Sequence, residues 1–230
     1  MAVGRCVFTL YNHCMTHWDV AIIGGGPAGL MAAARAAQRG RRTILIDKNR
    51  EPGVKILISG GTRCNFTHDT DARAIIKAFG PSGRFLHSAL AALGPQQVIE
   101  LFQAEGLGHY VEPGGKVFPA SDRAADIRAI LVRRAEQSGC AFALSESLIE
   151  LQRRADGFEL VTSKRTLEAD KVILATGGQS YPACGTTGDG YRWAAALGHR
   201  IVELHTALAP ITSHAAWVTD LQGITLPDVL

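Results

Sequence analysis

The sequence has no apolar run that approaches the roughly 20 residues needed to span a bilayer. It also has little excess charge, because 24 lysines and arginines stand against 21 aspartates and glutamates, and the basic residues are scattered. These absences predict no membrane and no nucleic-acid partner, and they favour a small-molecule substrate. Hydrophobic residues make up 47% of the chain, which is ordinary for a globular α/β protein.

Cysteines spaced closely enough for a redox or zinc motif are also missing. The cysteines are odd in number, and no two have C-x-x-C spacing. They are Cys6, Cys14, Cys64, Cys140 and Cys184. A chain of 230 residues can bury a core without disulfides. The cysteines therefore indicate reduced thiols in a cytoplasmic protein, and no metal site is expected.

The first 14 residues contain one arginine and no acidic residue, and their apolar run is too short for a good signal peptide. Met15 stands four residues before a clear strand pattern. We therefore expect that Met15 is the true start and that the segment before it is either disordered or a misassigned leader, with the leader region ending at residue 17.

A strand, a glycine turn, a helix and a second strand come after this leader. The apolar run Asp19–Ile23 predicts a buried parallel strand, and Leu30–Arg39 predicts a helix that ends at Gly40. Arg42–Ile46 predicts a second strand, with Asp47 at its end. Together these elements form one βαβ unit.

The rest of the chain is less regular. Its sequence predicts helices from Gly94-Pro95 to Glu105, from an N-cap at Ser121 to Ser138, and over Gly188–Leu197. A further strand is expected from Arg200 onward. An antiparallel meander and a return to the parallel sheet are predicted over Ser147–Gln152, Gly157–Ser163, Thr166–Ala169 and Val172–Ala175.

The pattern Gly24-x-Gly26-x-x-Gly29 connects the first strand to the first helix. The first glycine permits the tight turn, the second lets the backbone approach a pyrophosphate, and the third lets the helix pack against the sheet. The helix N-terminus adds unpaired N–H groups and a partial positive charge. Asp47, about 20 positions further on, is placed to bind ribose hydroxyls and disfavours a 2′-phosphate. The alternative is a glycine-rich turn that binds no ligand.

FAD and NAD both use this unit, so the choice between them depends on the organisation of the chain beyond Asp47. A plain NAD domain continues with a regular alternation of strands and helices. Here a long polar segment over residues 51–68, further helices and a meander precede a strand that ends in Ala175-Thr176-Gly177-Gly178. This order favours an α/β fold of the glutathione-reductase type, an FAD-binding Rossmann-like domain whose parallel sheet carries an antiparallel β-meander.

A longer motif is more specific. The segment Gly53–Thr67, GVKILISGGTRCNFT, resembles the signature of the BaiN-like family of bacterial NAD(P)/FAD-dependent flavoproteins, which groups with aminoacetone oxidases and proposed bile-acid reductases. Gly115–Ser121, Ala175–Pro182 and Gly185–Tyr191 resemble later segments of that family, and the likeness covers residues 18–230. The resemblance implies FAD as the cofactor, with NAD(P)H as a candidate electron donor.

The resemblance also implies a role for each part of the cofactor site. The glycine turn would hold the pyrophosphate, and Asp47 and Lys48 the adenosine side. Lys55 and the loop Ser59–Asn65 would face the ribityl chain and the flavin ring, and Leu148 would meet adenine through its backbone. The Thr-Gly strand end would cover the dinucleotide from the other side. The candidate cofactor-binding residues are therefore Gly24, Gly26, Pro27, Ala28, Gly29, Asp47, Lys48, Lys55, Ser59, Gly60, Arg63, Cys64, Asn65, Leu148, Ala175, Thr176 and Gly177.

Several polar residues in these motifs have two interpretations. Arg63 and Asn65 could steady negative charge on a reduced flavin, and a surface salt bridge is the alternative for Arg63. Cys64 has no resolving cysteine nearby, so a small buried residue is favoured over a redox centre. Tyr181 and Asp189 either line the flavin pocket or stabilise their turn. No catalytic residue is assigned.

The sequence departs from the family pattern at two points. Thr62 stands where glycine is usual, so we expect the loop to adopt a positive φ less readily there. The family continues through an inserted substrate domain and then returns to complete the FAD domain, whereas residues 205–230 resemble only the start of that insert. The resemblance thus implies an incomplete FAD-binding domain over residues 18–204. It implies a fragment, a split gene product, or a second chain that supplies the C-terminal part.

Three functions are open at this point. The favoured one is a flavin oxidoreductase that moves electrons between NAD(P)H, or a small organic substrate, and an acceptor. A catalytically inactive FAD-binding fragment is the alternative. A tRNA-modifying flavoprotein is the third, and the absence of a basic face argues against it.

Overall fold

The structure is a computed structural model that describes residues 16–206, 213–215, 217–221 and 224. These residues form two compact units that divide between His199 and Arg200. The expected start site Met15 and most of the expected leader lie outside the described residues.

Within the described ranges, the first unit contains the strands and all but one of the helices. The strands are β1 (Thr16–Ile23), β2 (Thr43–Asp47), β3 (Thr67–His68), β4 (His109–Val111), β5 (Lys116–Pro119), β6 (Ala141–Leu144), β7 (Leu148–Arg154), β8 (Gly157–Thr162) and β9 (Thr166–Leu174). The α-helices are α1 (Pro27–Gln38), α2 (Ala72–Ala78), α3 (His87–Ala92), α4 (Pro95–Ala104), α5 (Ala124–Gln137), α6 (Asp189–Ala196) and, in the second unit, α7 (Trp217–Asp220). Short 3₁₀ helices lie at Val54–Ile58, Gly80–Leu86 and Pro182–Cys184.

Six strands form the main sheet in the order β6-β2-β1-β9-β8-β7. The first four are parallel, whereas β9, β8 and β7 form an antiparallel meander. A smaller antiparallel sheet has the order β3-β5-β4. The predicted architecture, a Rossmann-type α/β fold of the FAD-binding class with a parallel sheet and a β-meander, is therefore confirmed.

Strands β1 and β2 bury residues on both faces, as their continuous apolar runs predict. Ile22 and Leu45 belong to a core that includes residues of α1 and α5. Their neighbours Ile23 and Ile44 belong to a second core, which includes Leu160 of the meander. Successive strand residues alternate between these two cores because side chains in a strand point to opposite faces.

Helix α1 leads directly out of the glycine turn. It begins at Pro27, a residue suited to the first turn because the N–H group that proline lacks has no partner within a helix there. The predicted start at Leu30 was late, because Pro27–Gly29 already follow the helical path. Gly40 follows the helix with a φ of +73°, which confirms its predicted position after the last turn.

Two predicted boundaries were wrong. The segments predicted as Thr166–Ala169 and Val172–Ala175 form one strand, β9, which ends at Leu174. Its first half pairs with β8, and nearly its whole length pairs with β1. Helix α5 follows Arg123 rather than Ser121. Between these residues Asp122 has a φ of +53°, which separates Ser121 from the helix.

The outcome for the remaining predicted elements differs along the chain. The helices predicted from Gly94-Pro95 and over Gly188–Leu197 are confirmed as α4 and α6. The strand predicted from Arg200 is wrong for the described residues 200–206, which contain no strand. Val202 in this segment is 72% exposed, so it buries little apolar surface that could order a strand.

Helices α2 and α3 and the small sheet were not predicted. Neither helix has a buried residue, so no core-facing apolar stripe marks it in the sequence. The strands of the small sheet have two to four residues, which is too short for an alternating pattern. Among the described residues, no helix is both long and apolar enough to cross a bilayer.

Candidate functional site

A cavity of about 520 Å³ runs along the edge of the main sheet at which the parallel strands end. The loops that line it follow β6, β2, β1 and β9, the order of the parallel strands. Glu146–Leu148 follow β6, Asp47 ends β2, the glycine turn follows β1 and Ala175–Gly177 follow β9. Ligands of open α/β sheets bind at this edge, and pockets for them commonly measure about 300–1,000 Å³.

Glycine occupies positions 24, 26 and 29 of the turn for different structural reasons. Gly24 has a φ of +106°, and a Cβ there would meet the backbone of Ala175. A Cβ on Gly29 would collide with the carbonyl oxygen of Gly24, so α1 can approach the turn only with glycine at this position. Gly26 has a φ of −71°, and a Cβ there would meet no protein atom within 4 Å. Glycine at position 26 is therefore not required by packing, and it leaves open space at the cavity.

Asp47 is held at the end of β2 by backbone N–H groups. Its Oδ2 accepts a hydrogen bond from the N–H of Gly25, and its Oδ1 accepts one from the N–H of Asn49 at 2.7 Å. The carboxylate lines the cavity next to the glycine turn. A carboxylate has about four acceptor positions, so it can still accept hydrogen bonds from a ligand.

Lys48, the residue after Asp47, contacts the segment after β9. Its Nζ donates to Asp189 Oδ2 at 2.9 Å and to Thr187 Oγ1 at 2.6 Å. The hydrogen bonds from Thr187 and Lys48 hold the pKa of Asp189 below its usual value. Asp189 both lines the cavity and stabilises its own turn, so the two expected interpretations of this residue are compatible.

Two more contacts join the same segments. Asn49 Nδ2 donates to the carbonyl oxygen of Cys184 at 3.2 Å. Lys55 Nζ donates to the carbonyl oxygen and the hydroxyl of Ser180 at 3.0 and 2.9 Å. The chain after β9 is thereby tied to the chain after β2 along the cavity.

Glu146 is a buried carboxylate at the β6 end of the cavity, with its side chain 3% exposed. Its Oε1 accepts from Arg165 Nε at 3.1 Å and from the Thr162 hydroxyl at 2.7 Å, and its Oε2 accepts from Arg165 Nη2 at 3.2 Å. Because this charge is paired, this end of the cavity suits a neutral group.

Most of the predicted cofactor-binding residues line the cavity. Those that do are Gly24, Gly26, Pro27, Ala28, Asp47, Lys48, Lys55, Leu148, Ala175, Thr176 and Gly177. Outside its lining lie Gly29, Ser59, Gly60, Arg63, Cys64 and Asn65. Gly29 packs against the turn, and the loop Ser59–Asn65 closes on itself through the Cys64 N–H, which donates to the Ser59 carbonyl at 3.0 Å.

Arg63 contacts the small sheet. Its Nη1 donates to Glu112 Oε1 at 2.6 Å and to the Tyr110 hydroxyl at 3.0 Å, and its guanidinium lies 4.2 Å from the Phe118 ring centroid. The hydrogen bond to Glu112 raises the pKa of Arg63. The salt bridge expected as the alternative for Arg63 is thus present, and Glu112 neutralises its charge.

Thr62 has a φ of +72°, so the loop adopts at this position a positive φ that threonine disfavours. The Thr62 carbonyl accepts a hydrogen bond from the N–H of Ala124 at 2.9 Å, which couples the loop conformation to the start of α5. The left-handed region costs a non-glycine residue about 1–2 kcal/mol. The loop therefore carries strain that its tertiary contacts impose.

We expect Thr62→Gly to raise the free energy of unfolding by up to about 1 kcal/mol, because relief of strain exceeds the entropic cost of glycine, about 0.5–1 kcal/mol. Thr62→Ala is the control, since it keeps Cβ and should gain less. Urea denaturation of both variants measures the difference. A glycine variant less stable than the alanine variant would show that position 62 is not strained.

The three described cysteines, Cys64, Cys140 and Cys184, carry free thiols. Burial raises the pKa of Cys64 and raises that of Cys140 to about 11. Cys64 is buried and lies outside the cavity, as expected of a small core residue rather than a redox centre. Cys184 is only half-buried and lines the cavity.

Among these three thiols, we expect an alkylating reagent at pH 8 to modify Cys184 first. The thiolate is the reactive form. Because pH 8 is well below the raised pKa of Cys140, the thiol of Cys140 stays protonated. A ligand bound in the cavity should slow the reaction at Cys184 by covering it. Peptide mapping by mass spectrometry follows each site, and equal labelling of Cys140 and Cys184 would contradict the prediction.

Several residues that line the cavity were not among the predicted set. They are Ile23, Gly25, Ile46, Asn49, Gly53, Val54, Glu146, Ser147, Cys184, Gly185, Thr186, Thr187, Gly188, Arg192 and Trp193. Many belong to the glycine-containing segment before α6, which was the available sequence signal. Tyr181 of this segment is 64% exposed and lies outside the lining.

The sheet order, the meander and the glycine turn define the class of protein, a Rossmann-type α/β domain of the kind that binds FAD. The family described as "HI0933-like protein Rossmann domain" matches residues 18–226, and the chain belongs to this family.

Similar proteins agree with this assignment. The chain is 34% identical over 219 residues to the ribosomal RNA dihydrouridine synthase of Escherichia coli (strain K12), covering 94% of this chain and 54% of that protein. It is 30% identical over 195 residues to the 3-dehydro-bile acid delta(4,6)-reductase of Clostridium scindens, covering 84% and 47%. The chain thus spans about half the length of these relatives. The open form of a flavocytochrome c3 fumarate reductase shares the fold, with a TM-score of 0.60 and 22% identity over 80% of this chain and 41% of that one.

Proposed function

We propose that this chain binds FAD in the cavity and forms the cofactor-binding part of a flavin oxidoreductase. The observation that carries this proposal is Gly26, where a Cβ would enter open space at the N-terminus of α1. A pyrophosphate placed there would meet backbone N–H groups and the positive end of the helix dipole. The first turn of α1 has no acidic residue that would repel it.

The order of loops along the sheet edge supports an orientation for the cofactor. Asp47 would accept ribose hydroxyls, and Leu148, beside the paired Glu146, would face the neutral adenine. The flavin would then lie towards the loop after β9, near Lys55 and Thr176. Bound FAD would supply the electron-transferring ring, while these residues bind and orient it. The Ser59–Asn65 loop, which lies outside the cavity lining, would stabilise the segment that carries Lys55.

The names of the relatives support a reaction class. Dihydrouridine synthase and delta(4,6)-reductase both denote addition of hydrogen across a carbon–carbon double bond. We therefore propose reduction of such a bond, with NAD(P)H as the electron donor and a small unsaturated molecule as the substrate, as in the BaiN-like group. A structured RNA is the second candidate substrate, favoured by two relatives named ribosomal RNA dihydrouridine synthases.

This chain matches about half of the length of its relatives, so similarity alone does not assign the activity of the whole proteins to it. We propose that turnover requires a further segment, on this or a second chain, that encloses the flavin. The alternative is that the 230 residues bind FAD and are catalytically inactive. A cytoplasmic location, which the free thiols of the described cysteines favour, is part of the same proposal.

The test is an anaerobic titration of the protein purified in the presence of FAD. Bound yellow flavin that NAD(P)H bleaches supports the oxidoreductase, and bound flavin that is never reduced supports the inactive fragment. A folded protein that takes up no FAD contradicts both. Reoxidation of the reduced protein by an unsaturated steroid ketone or by a ribosomal RNA transcript separates the two substrate classes.

A further inference from the structure

Lys55 differs from the other lysine that lines the cavity, Lys48. Lys48 is neutralised by Asp189, whereas the described part of the chain offers Lys55 Nζ only the neutral carbonyl and hydroxyl oxygens of Ser180. The positive charge of Lys55 is therefore available to a ligand in the cavity.

The partner of Lys55 is itself fixed. The Thr186 hydroxyl, which is buried, contacts the carbonyl oxygen of Ser180 and lies 2.9 Å from that of Tyr181. The Tyr181 ring centroid lies 5.5 Å from Lys55 Nζ. These contacts orient the ammonium group, which reduces the reorganisation needed when charge develops beside it.

The position of Lys55 along the cavity follows from the sheet order. Asp47 and Leu148 mark the end near β2 and β6, whereas Ser180 belongs to the loop after β9 on the opposite side of the glycine turn. If adenosine lies at the first end, the flavin ring lies at the end where Lys55 is held.

We propose that Lys55 stabilises the negative charge of the reduced flavin and so raises its reduction potential. This inference rests on the proposed FAD site and names the residue that tunes it. It gives Lys55 the electrostatic role that the sequence suggested for Arg63, because Arg63 is neutralised by Glu112 and lies outside the cavity lining. A charge near the flavin ring is one of the main means by which a protein tunes this cofactor.

The test compares the two-electron midpoint potential of bound FAD in the parent protein and in three variants, Lys55→Met, Lys48→Met and Arg63→Met. Lys48→Met is the matched control, because it removes from the same cavity a lysine whose charge Asp189 neutralises. We expect Lys55→Met to lower the potential by at least about 30 mV, which corresponds to tenfold weaker relative binding of the reduced form. Lys48→Met should weaken FAD binding and leave the potential within about 10 mV of the parent value, and Arg63→Met should also keep it there.

The affinity for ADP provides the second measurement. An unchanged potential in Lys55→Met, or an ADP affinity that falls as much as the FAD affinity, would overturn the inference and make Lys55 a phosphate contact. If Lys55→Met does not retain FAD, the potentials of Lys55→Arg and Lys55→Gln at saturating FAD decide, since only the arginine should keep the parent value. If the parent protein takes up no FAD, the proposed function itself fails.

Discussion

Gly26→Ala will weaken FAD binding at least about a hundredfold, or about 3 kcal/mol, while the unliganded protein keeps its stability. The added methyl group would occupy the open space at which the pyrophosphate approaches the backbone. Alanine adopts the Gly26 φ of −71° without strain, so the free energy of unfolding without FAD should change by less than about 0.5 kcal/mol. Flavin fluorescence titration and urea denaturation measure the two quantities.

Gly29→Ala is the comparison for this variant. Its Cβ would collide with the Gly24 carbonyl oxygen, so the unliganded protein itself should lose about 3 kcal/mol or more. Within the glycine turn, position 26 should therefore affect FAD binding, whereas position 29, three residues away, should affect packing. If Gly26→Ala binds FAD as the parent does, the pyrophosphate does not lie at this turn.

Arg165→Met will lower the free energy of unfolding by about 3 kcal/mol. The substitution leaves Glu146 buried and removes both of its hydrogen bonds from the guanidinium. Of its present side-chain partners, only the Thr162 hydroxyl remains. An uncompensated buried charge costs far more than a lost surface contact. The double variant Glu146→Gln with Arg165→Met should recover part of the loss, because the neutral amide is less costly to bury. Urea denaturation gives the values.

Arg154→Met is the control from the same meander. Its partner Glu159 is 2.5 Å away but 21% exposed, against 3% for Glu146, so water can solvate the unpaired carboxylate and the loss should stay below about 1 kcal/mol. Equal losses in the two arginine variants would show that the Glu146 carboxylate is not effectively buried. Such a result would also remove the argument that this end of the cavity is neutral.

The parts of the fold that sequence predicts best are those in which local pattern and tertiary position agree. The run before Gly24 predicts a strand that the structure buries on both faces, and the glycine turn lies where the motif requires. Helices α2 and α3 bury no residue, so periodicity carries no signal for them. The continuity of β9 across Asp170 depends on the pairing with β1, which no local pattern contains.

The candidate site was predictable to a similar extent. Asp47 and the strand end at Ala175 follow from motif spacing, because each stands at the end of a parallel strand. The ion pair of Arg63 with Glu112 joins residues 49 positions apart, and that of Glu146 with Arg165 requires the folded meander. Thr62 shows the same limit, since a contact with Ala124 imposes a conformation that its residue type disfavours.

The central claim is that the glycine turn of this chain holds the pyrophosphate of FAD. Its most direct test is equilibrium binding of FAD to the purified protein, with ADP and FMN as competitors. We predict one FAD per chain, displacement by ADP, and far weaker competition by FMN, which lacks the adenosine half. A cooperatively folded protein that binds no FAD, or binds it without competition from ADP, would contradict the account.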